Sequence, residues 1–134
     1  MRKLTIAINT RLLIKGKMDG IGWFTHENLK RITAAHPEHT FCFLFDRPCH
    51  EDFIYGKNVK PYVAGPPTRL PVLIRFWFRF TVPRLLKKIK PDLFISPDGF
   101  ISNRTTYPAF AVIHDLNFEH HPEHLPRRFR NLFR

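Results

Sequence analysis

The chain is short of several things at once. It has two cysteines in 134 residues, Cys42 and Cys49, with neither a CxxC pair nor the spacing of a metal site. A disulfide framework and a cysteine-held zinc are therefore excluded, and reduced thiols in a cytosolic protein are the simplest expectation. Acidic residues are few, 11 against 22 lysines and arginines. No apolar run has the length of a membrane span, and Met1-Arg2-Lys3 leads into only a short one, which is not the pattern of a signal peptide. There is no internal repeat, no low-complexity tract, no GxGxxG and no HExxH. The sequon Asn103-Arg104-Thr105 carries no meaning without secretion.

The chain does have apolar and aromatic mass. The hydrophobic fraction is 43% and 14% is aromatic, with 14 phenylalanines. That is enough for a packed core and argues against disorder. The length fits one domain, and 12 prolines imply frequent breaks between elements. A net charge of +11 favours an anionic partner, whether nucleic acid, a phosphorylated ligand or an acidic membrane surface; a merely solvated basic surface is the plain alternative.

Short apolar runs read as buried strands at Leu4 to Asn9, Thr40 to Phe45, Val59 to Val63, Asp92 to Ser96 and Ala109 to His114. Ile21 to Ala35 reads as a helix stopped by Pro37, with Ile21, Phe24, Leu29 and Ile32 on or near one face. Arg47 to Asn58 reads as irregular or briefly helical. Leu70 to Lys90 is the longest helical stretch, and Pro83 inside it predicts two helices or a kink. Pro126 suits the first residue of a last helix. Continuous apolar strands alternating with helices indicate α/β architecture, a doubly wound, mostly parallel, Rossmann-like sheet.

In such a sheet ligands bind at the carboxyl ends of the strands. Asn9, Thr10 and Arg11 follow the first strand, and Gly20-Ile21-Gly22 opens the first helix. Glycines and free N–H groups at a helix start suit an anion. The glycines stand ten or more residues past the strand, which excludes the NAD fingerprint; a plain turn is the alternative. The fourth strand leads into "SPDGFISNR", which offers Asp98, Ser102 and Asn103 or simply makes a surface turn. After the fifth strand come His114 and Asp115, a possible base or hydrogen-bond donor to a sugar hydroxyl, or a structural histidine beside a capping acid. His120, His121 and His124 lack the spacing of a zinc site and have Pro122 among them, so no metal is expected. Arg75, Arg79, Arg84, Lys87 and Lys88 alternate with Phe76, Trp77, Phe78 and Phe80. This pattern suits a helix at an anionic membrane interface, or a core helix with a solvated basic edge. Nucleic-acid binding is a further reading, without a recognised motif.

Together these segments resemble the N-terminal, acceptor-side domain of retaining glycosyltransferases of the GT-B fold, of the glycosyltransferase family 4 type (glycosyl transferases group 1). "IAINTRLL", "GIGWFTHENLKRI", "KPDLFISPDGF" and "AVIHDLNFEHHPEHLPRRFR" carry the resemblance, which runs the whole length; the last is the most specific. The chain departs from the family at Asn9, where Asp is usual, and at Trp23, where Arg is common. The resemblance implies transfer of a sugar from a UDP- or GDP-sugar to an acceptor hydroxyl with retention, as in synthesis of cell-envelope polysaccharide, lipopolysaccharide or glycolipid. It places Gly20, Ile21 and Gly22 near donor phosphates and acceptor, His114 beside the transferred sugar, and Arg11, Asp98, Asn103 and Asp115 around the acceptor cleft. It implies no cofactor apart from the nucleotide-sugar donor. It further implies a saccharide or lipid-linked acceptor, and a location in the cytoplasm, peripherally at the inner membrane face. In that family a C-terminal domain holds the nucleotide-sugar, and no candidate for it follows His114. The expectation is a single domain over residues 1–134, incomplete at its C-terminus and inactive alone, with the other half as a covalent or separate partner. The alternative is a non-catalytic binding module derived from such a domain.

Overall fold

The computed structural model of the chain describes residues 2–100 and 107–112. Five strands, β1 (Thr5–Asn9), β2 (Thr40–Phe45), β3 (Val59–Val63), β4 (Leu93–Ser96) and β5 (Ala109–Ala111), form one sheet in the order β3-β2-β1-β4-β5. Every neighbouring pair is parallel. The α/β Rossmann-like arrangement expected from the sequence is the one observed, with strand bounds within a few residues of those expected. The chain winds outward from β1 to β3, then crosses to β4 on the other side of β1. That reversal lies between β1 and β4.

Both faces of the sheet are covered, which is why β1 and β2 are apolar almost without alternation. Ile6, Ile8, Phe41, Phe43 and Phe45 pack on one face with Leu13, Leu29 and Phe53. Ala7, Cys42, Leu44 and Phe94 pack on the other against Ile74, Trp77, Phe78, Val82, Leu85 and Leu86. Burial pushes the Cys42 thiol above its ordinary pKa and leaves it a small packing residue.

Helix α1 (Gly20–Ala35) covers the first face. Its inward stripe is Gly22, Thr25, Leu29 and Thr33, not the expected stripe of Ile21, Phe24, Leu29 and Ile32; Phe24 and Ile32 are exposed. Three inward phenylalanines on β2 fill the space beneath the helix, so small residues face them. The two threonines are buried without penalty because each hydroxyl donates to the carbonyl four residues back, Thr25 to Ile21 and Thr33 to Leu29, both at 2.8 Å.

The second face is covered by a helical run of α2 (Pro71–Phe76), a π turn (Trp77–Thr81) and α3 (Val82–Ile89). The break expected at Pro83 takes the form of this π turn. Pro83 has no N–H to give, and the wider turn before it accommodates the lost bond; the Val82 N–H reaches back to the Trp77 carbonyl. The turn also retunes the helix. Buried residues fall at steps of four, Ile74-Phe78-Val82-Leu86 and Trp77-Thr81-Leu85. A plain α-helix has about 3.6 residues per turn and drifts off such a row. One wider turn in the middle brings the row back over the sheet.

Candidate functional site

Four polar residues meet where the sheet reverses. Asn9 ends β1, and its last-residue position puts its side chain beside Ser96, the last residue of β4. The Asn9 amide nitrogen donates to Ser96 Oγ at 3.2 Å and to Asp98 Oδ2 at 2.9 Å. Its carbonyl oxygen accepts the Arg11 N–H at 3.1 Å. Ser96 Oγ donates to Asp98 Oδ1 at 2.9 Å, and the Phe100 N–H reaches the same oxygen at 3.2 Å. Gly99, at φ 86°, makes the turn that returns Phe100 to it.

Arg11 closes the group. Its Nε lies 2.7 Å from Asp98 Oδ2, and the side chains are only 7% and 4% exposed. The contact is one of charge, without the angle of an aligned hydrogen bond. The guanidinium lies over Phe78 and Phe100, at 5.8 Å and 5.3 Å from the ring centroids. Its Nη1 donates to Thr68 Oγ1 at 3.3 Å. Thr68 in turn donates its N–H and its hydroxyl to Asp46 Oδ2, at 2.6 Å and 2.5 Å. Arg47 grips Asp46 with two bonds, at 2.9 Å and 3.0 Å. Burial alone would raise the Asp46 carboxyl, but the bonds from Arg47 and Thr68 outweigh it and hold the group below its ordinary pKa.

The result is one polar chain, Arg47-Asp46-Thr68-Arg11-Asp98-Asn9-Ser96, along the carboxyl edge of β2, β1 and β4. Each Asp98 oxygen already has two donor groups beside it. Asp98 is therefore built to position others rather than to take a proton from a substrate. Of the acceptor-cleft residues expected from the sequence, Arg11 and Asp98 are brought together as a buried pair. Asn103, Asp115 and His114 lie outside the described residues, as do the histidines of "HHPEH". The chain leaves β5 at this same edge, since Ala111 is opposite Ser96 and the Val112 N–H donates to the Ser96 carbonyl at 3.1 Å.

Gly20, Ile21 and Gly22 form the first turn of α1 on the β1 side of this edge. Asp19 caps the turn and accepts the Gly22 N–H at 2.9 Å. A Cβ on Gly22 would sit 3.0 Å from the Leu12 carbonyl oxygen and 3.2 Å from Met18 Cβ, whereas one on Gly20 would meet nothing within 4 Å. Gly22 is thus a packing glycine, and Gly20 faces open space. Arg75, Arg79, Arg84, Lys87 and Lys88 are all exposed.

Sequence reasoning passed over Asn9 as a hub, Asp46 and Thr68. The rule that pointed to Asp98 also points to Asp46, the residue after β2. Thr68 carries no sequence signal, because only the folding of the loop after β3 brings it there.

The described residues hold one further cluster, His36, Glu38 and His39, whose potential ligand atoms lie within 4.8 Å of one another. His39 Nδ1 accepts the Leu4 N–H at 3.1 Å. The neutral ring then carries its proton on Nε2, the atom facing Glu38 Oε1 at 3.6 Å. A metal there would have to displace that proton while Nδ1 stays bonded, so the donor set fits a hydrogen-bonded group rather than a metal.

No family model matches the chain, and neither does any curated protein or solved structure. The fold and the polar edge define a class, a Rossmann-like α/β domain with a buried charge network at its topological switch point.

Proposed function

We propose that the chain is the acceptor-side domain of a retaining glycosyltransferase that uses a UDP- or GDP-sugar. The observation that carries the reading is the Asn9-Arg11-Ser96-Asp98 network, located where open α/β sheets bind ligands. It supplies a rigid polar floor at the β1–β4 edge, with the open N-terminal turn of α1 on one side and the exit of β5 towards His114 on the other. In this reading the floor holds its walls in place, Gly20 and Ile21 approach the acceptor and the donor phosphates, and His114 stands beside the transferred sugar. The donor is held by a second α/β half, in the same chain or a separate one, because transfer needs both substrates fixed against each other.

The test uses nuclear magnetic resonance on the 134-residue chain, titrated with envelope oligosaccharides and separately with UDP- and GDP-sugars. Shifts should centre on the amides of residues 9–11, 20–22 and 98–100 with saccharide, and no nucleotide-sugar should be turned over. Saccharide shifts confined to other surfaces, or turnover by this chain alone, would overturn the reading.

A further inference from the structure

The outer surface of the helical run 71–89 is a second feature, independent of the polar edge. The same four-residue step that orders its buried face orders its exposed one. Val72, Phe76, Phe80, Arg84 and Lys88 form one row, and Arg75, Arg79 and Lys87 lie beside it. The first half of the row is apolar and open to solvent: Val72 is 66% exposed, Phe76 47% and Phe80 40%, with Leu70 just before the helix at 48%. The Phe76 and Phe80 rings touch, with centroids 5.0 Å apart, and the Arg79 guanidinium lies 5.5 Å from the Phe80 ring centroid. The second half is basic. The sequence has no acidic residue from 53 to 91, and none of the five cations forms an ion pair with another described residue.

We propose that this face docks the protein on an anionic phospholipid surface, with Leu70, Val72, Phe76 and Phe80 entering the headgroup–acyl boundary and Arg75, Arg79, Arg84, Lys87 and Lys88 against the lipid phosphates. Two observations select this occupant. The charge is of one sign and has no acidic partner among the described residues, which calls for a polyanionic surface. The apolar end includes Val72 in the row and Leu70 just before the helix, which have no use against a nucleic-acid backbone but match an interfacial helix. Among the described residues no helix is long and apolar enough to cross a membrane, so the contact is peripheral. The π turn is what makes the face usable, since without it the row would wind around the helix and half of it would turn into the core. The apolar end of the row is also the end nearest the carboxyl edge of the sheet, because the run begins there and returns towards the start of β4. Docking therefore sets the polar edge close to the lipid surface.

The experiment is co-sedimentation of the whole chain with phosphatidylcholine vesicles, and with vesicles of equimolar phosphatidylcholine and phosphatidylglycerol. Binding is expected to the second and not the first. The triple variant Arg75→Glu, Arg79→Glu, Lys87→Glu should lose it by about a hundred-fold, at about five-fold for each cation held near the surface. A matched control, Lys3→Glu, Lys30→Glu, Lys57→Glu, makes the same change in net charge at exposed sites outside this helix, and should lose less than about five-fold. Val72→Ser, Phe76→Ser, Phe80→Ser should weaken binding at least about ten-fold through lost apolar burial. Circular dichroism checks that each variant keeps the fold; these positions are exposed, so all should. Equal binding to both vesicle types overturns the proposal, as does equal loss in the two charge variants. Tighter binding to single-stranded polyuridylate than to the anionic vesicles, with the same variant ranking, also overturns it in favour of a nucleic-acid surface.

Discussion

Asn9→Asp changes one atom of the side chain and tests the polar edge directly. The Asn9 amide nitrogen stands 2.9 Å from Asp98 Oδ2 and donates to it. An aspartate in the same rotamer would put a carboxylate oxygen there, and two like charges at that separation repel by about 6 kcal/mol at an effective dielectric constant of about 20. The protein has a less costly alternative, which is to protonate one of the two acids. At about pH 7 this costs about 4 kcal/mol, because an unperturbed aspartyl group titrates near about 3.9 and each unit is worth about 1.4 kcal/mol. Protonation therefore wins, and the shared proton restores one donor between residues 9 and 98. At about pH 5 the same step costs about 1.5 kcal/mol. The folded-state pKa of the pair is raised above the unfolded value, so the folded state binds the extra proton and the variant regains stability as pH falls. Urea denaturation of both proteins across this pH range is the assay. The expected result is a destabilisation of about 4 kcal/mol near neutrality that shrinks by more than half at the acid end. A pH-independent loss, or one below about 1 kcal/mol at neutrality, would refute the network as drawn.

Other predictions bear on the neighbouring groups. Asp46→Asn removes a buried carboxylate held by Arg47 and Thr68 and should cost about 3 kcal/mol at neutral pH. Because the native carboxyl lies below its ordinary pKa, the stability it adds is present above about pH 4 and is lost as pH falls through the folded-state value; the variant's acid-unfolding curve should be flatter there. Gly22→Ala should lower stability by about 1–3 kcal/mol, since its Cβ would press on the Leu12 carbonyl, while Gly20→Ala should be neutral or slightly stabilising. Thermal melts of the two alanine variants side by side check this, and equal effects would contradict the packing of the α1 start.

In the second helical run Pro83 pointed to a break, two helices or a kink, while the burial of Ile74, Phe78, Val82 and Leu86 on one row through a π turn was shown by the structure. The α1 stripe was less legible. A hydrophobic-face rule favours Phe24 and Ile32, while the structure buries Thr25 and Thr33, because a threonine that bonds to its own helix counts as apolar once folded. Asn9 illustrates the same limit. At the end of a strand it was only a candidate, and the side chains that give it meaning, Ser96 at the end of β4 and Asp98 in the turn after it, lie more than 80 residues away in the chain.

The sequence by itself determined the α/β class, the five strands and the edge at which polar residues collect. Those follow from local pattern, since apolar runs bounded by turns leave few other folds. Only the tertiary structure decided which polar groups are partners and which surfaces stay open. Burial and pairing depend on what the crossover from β3 to β4 brings beside β1, and no local signal in the chain encodes that juxtaposition.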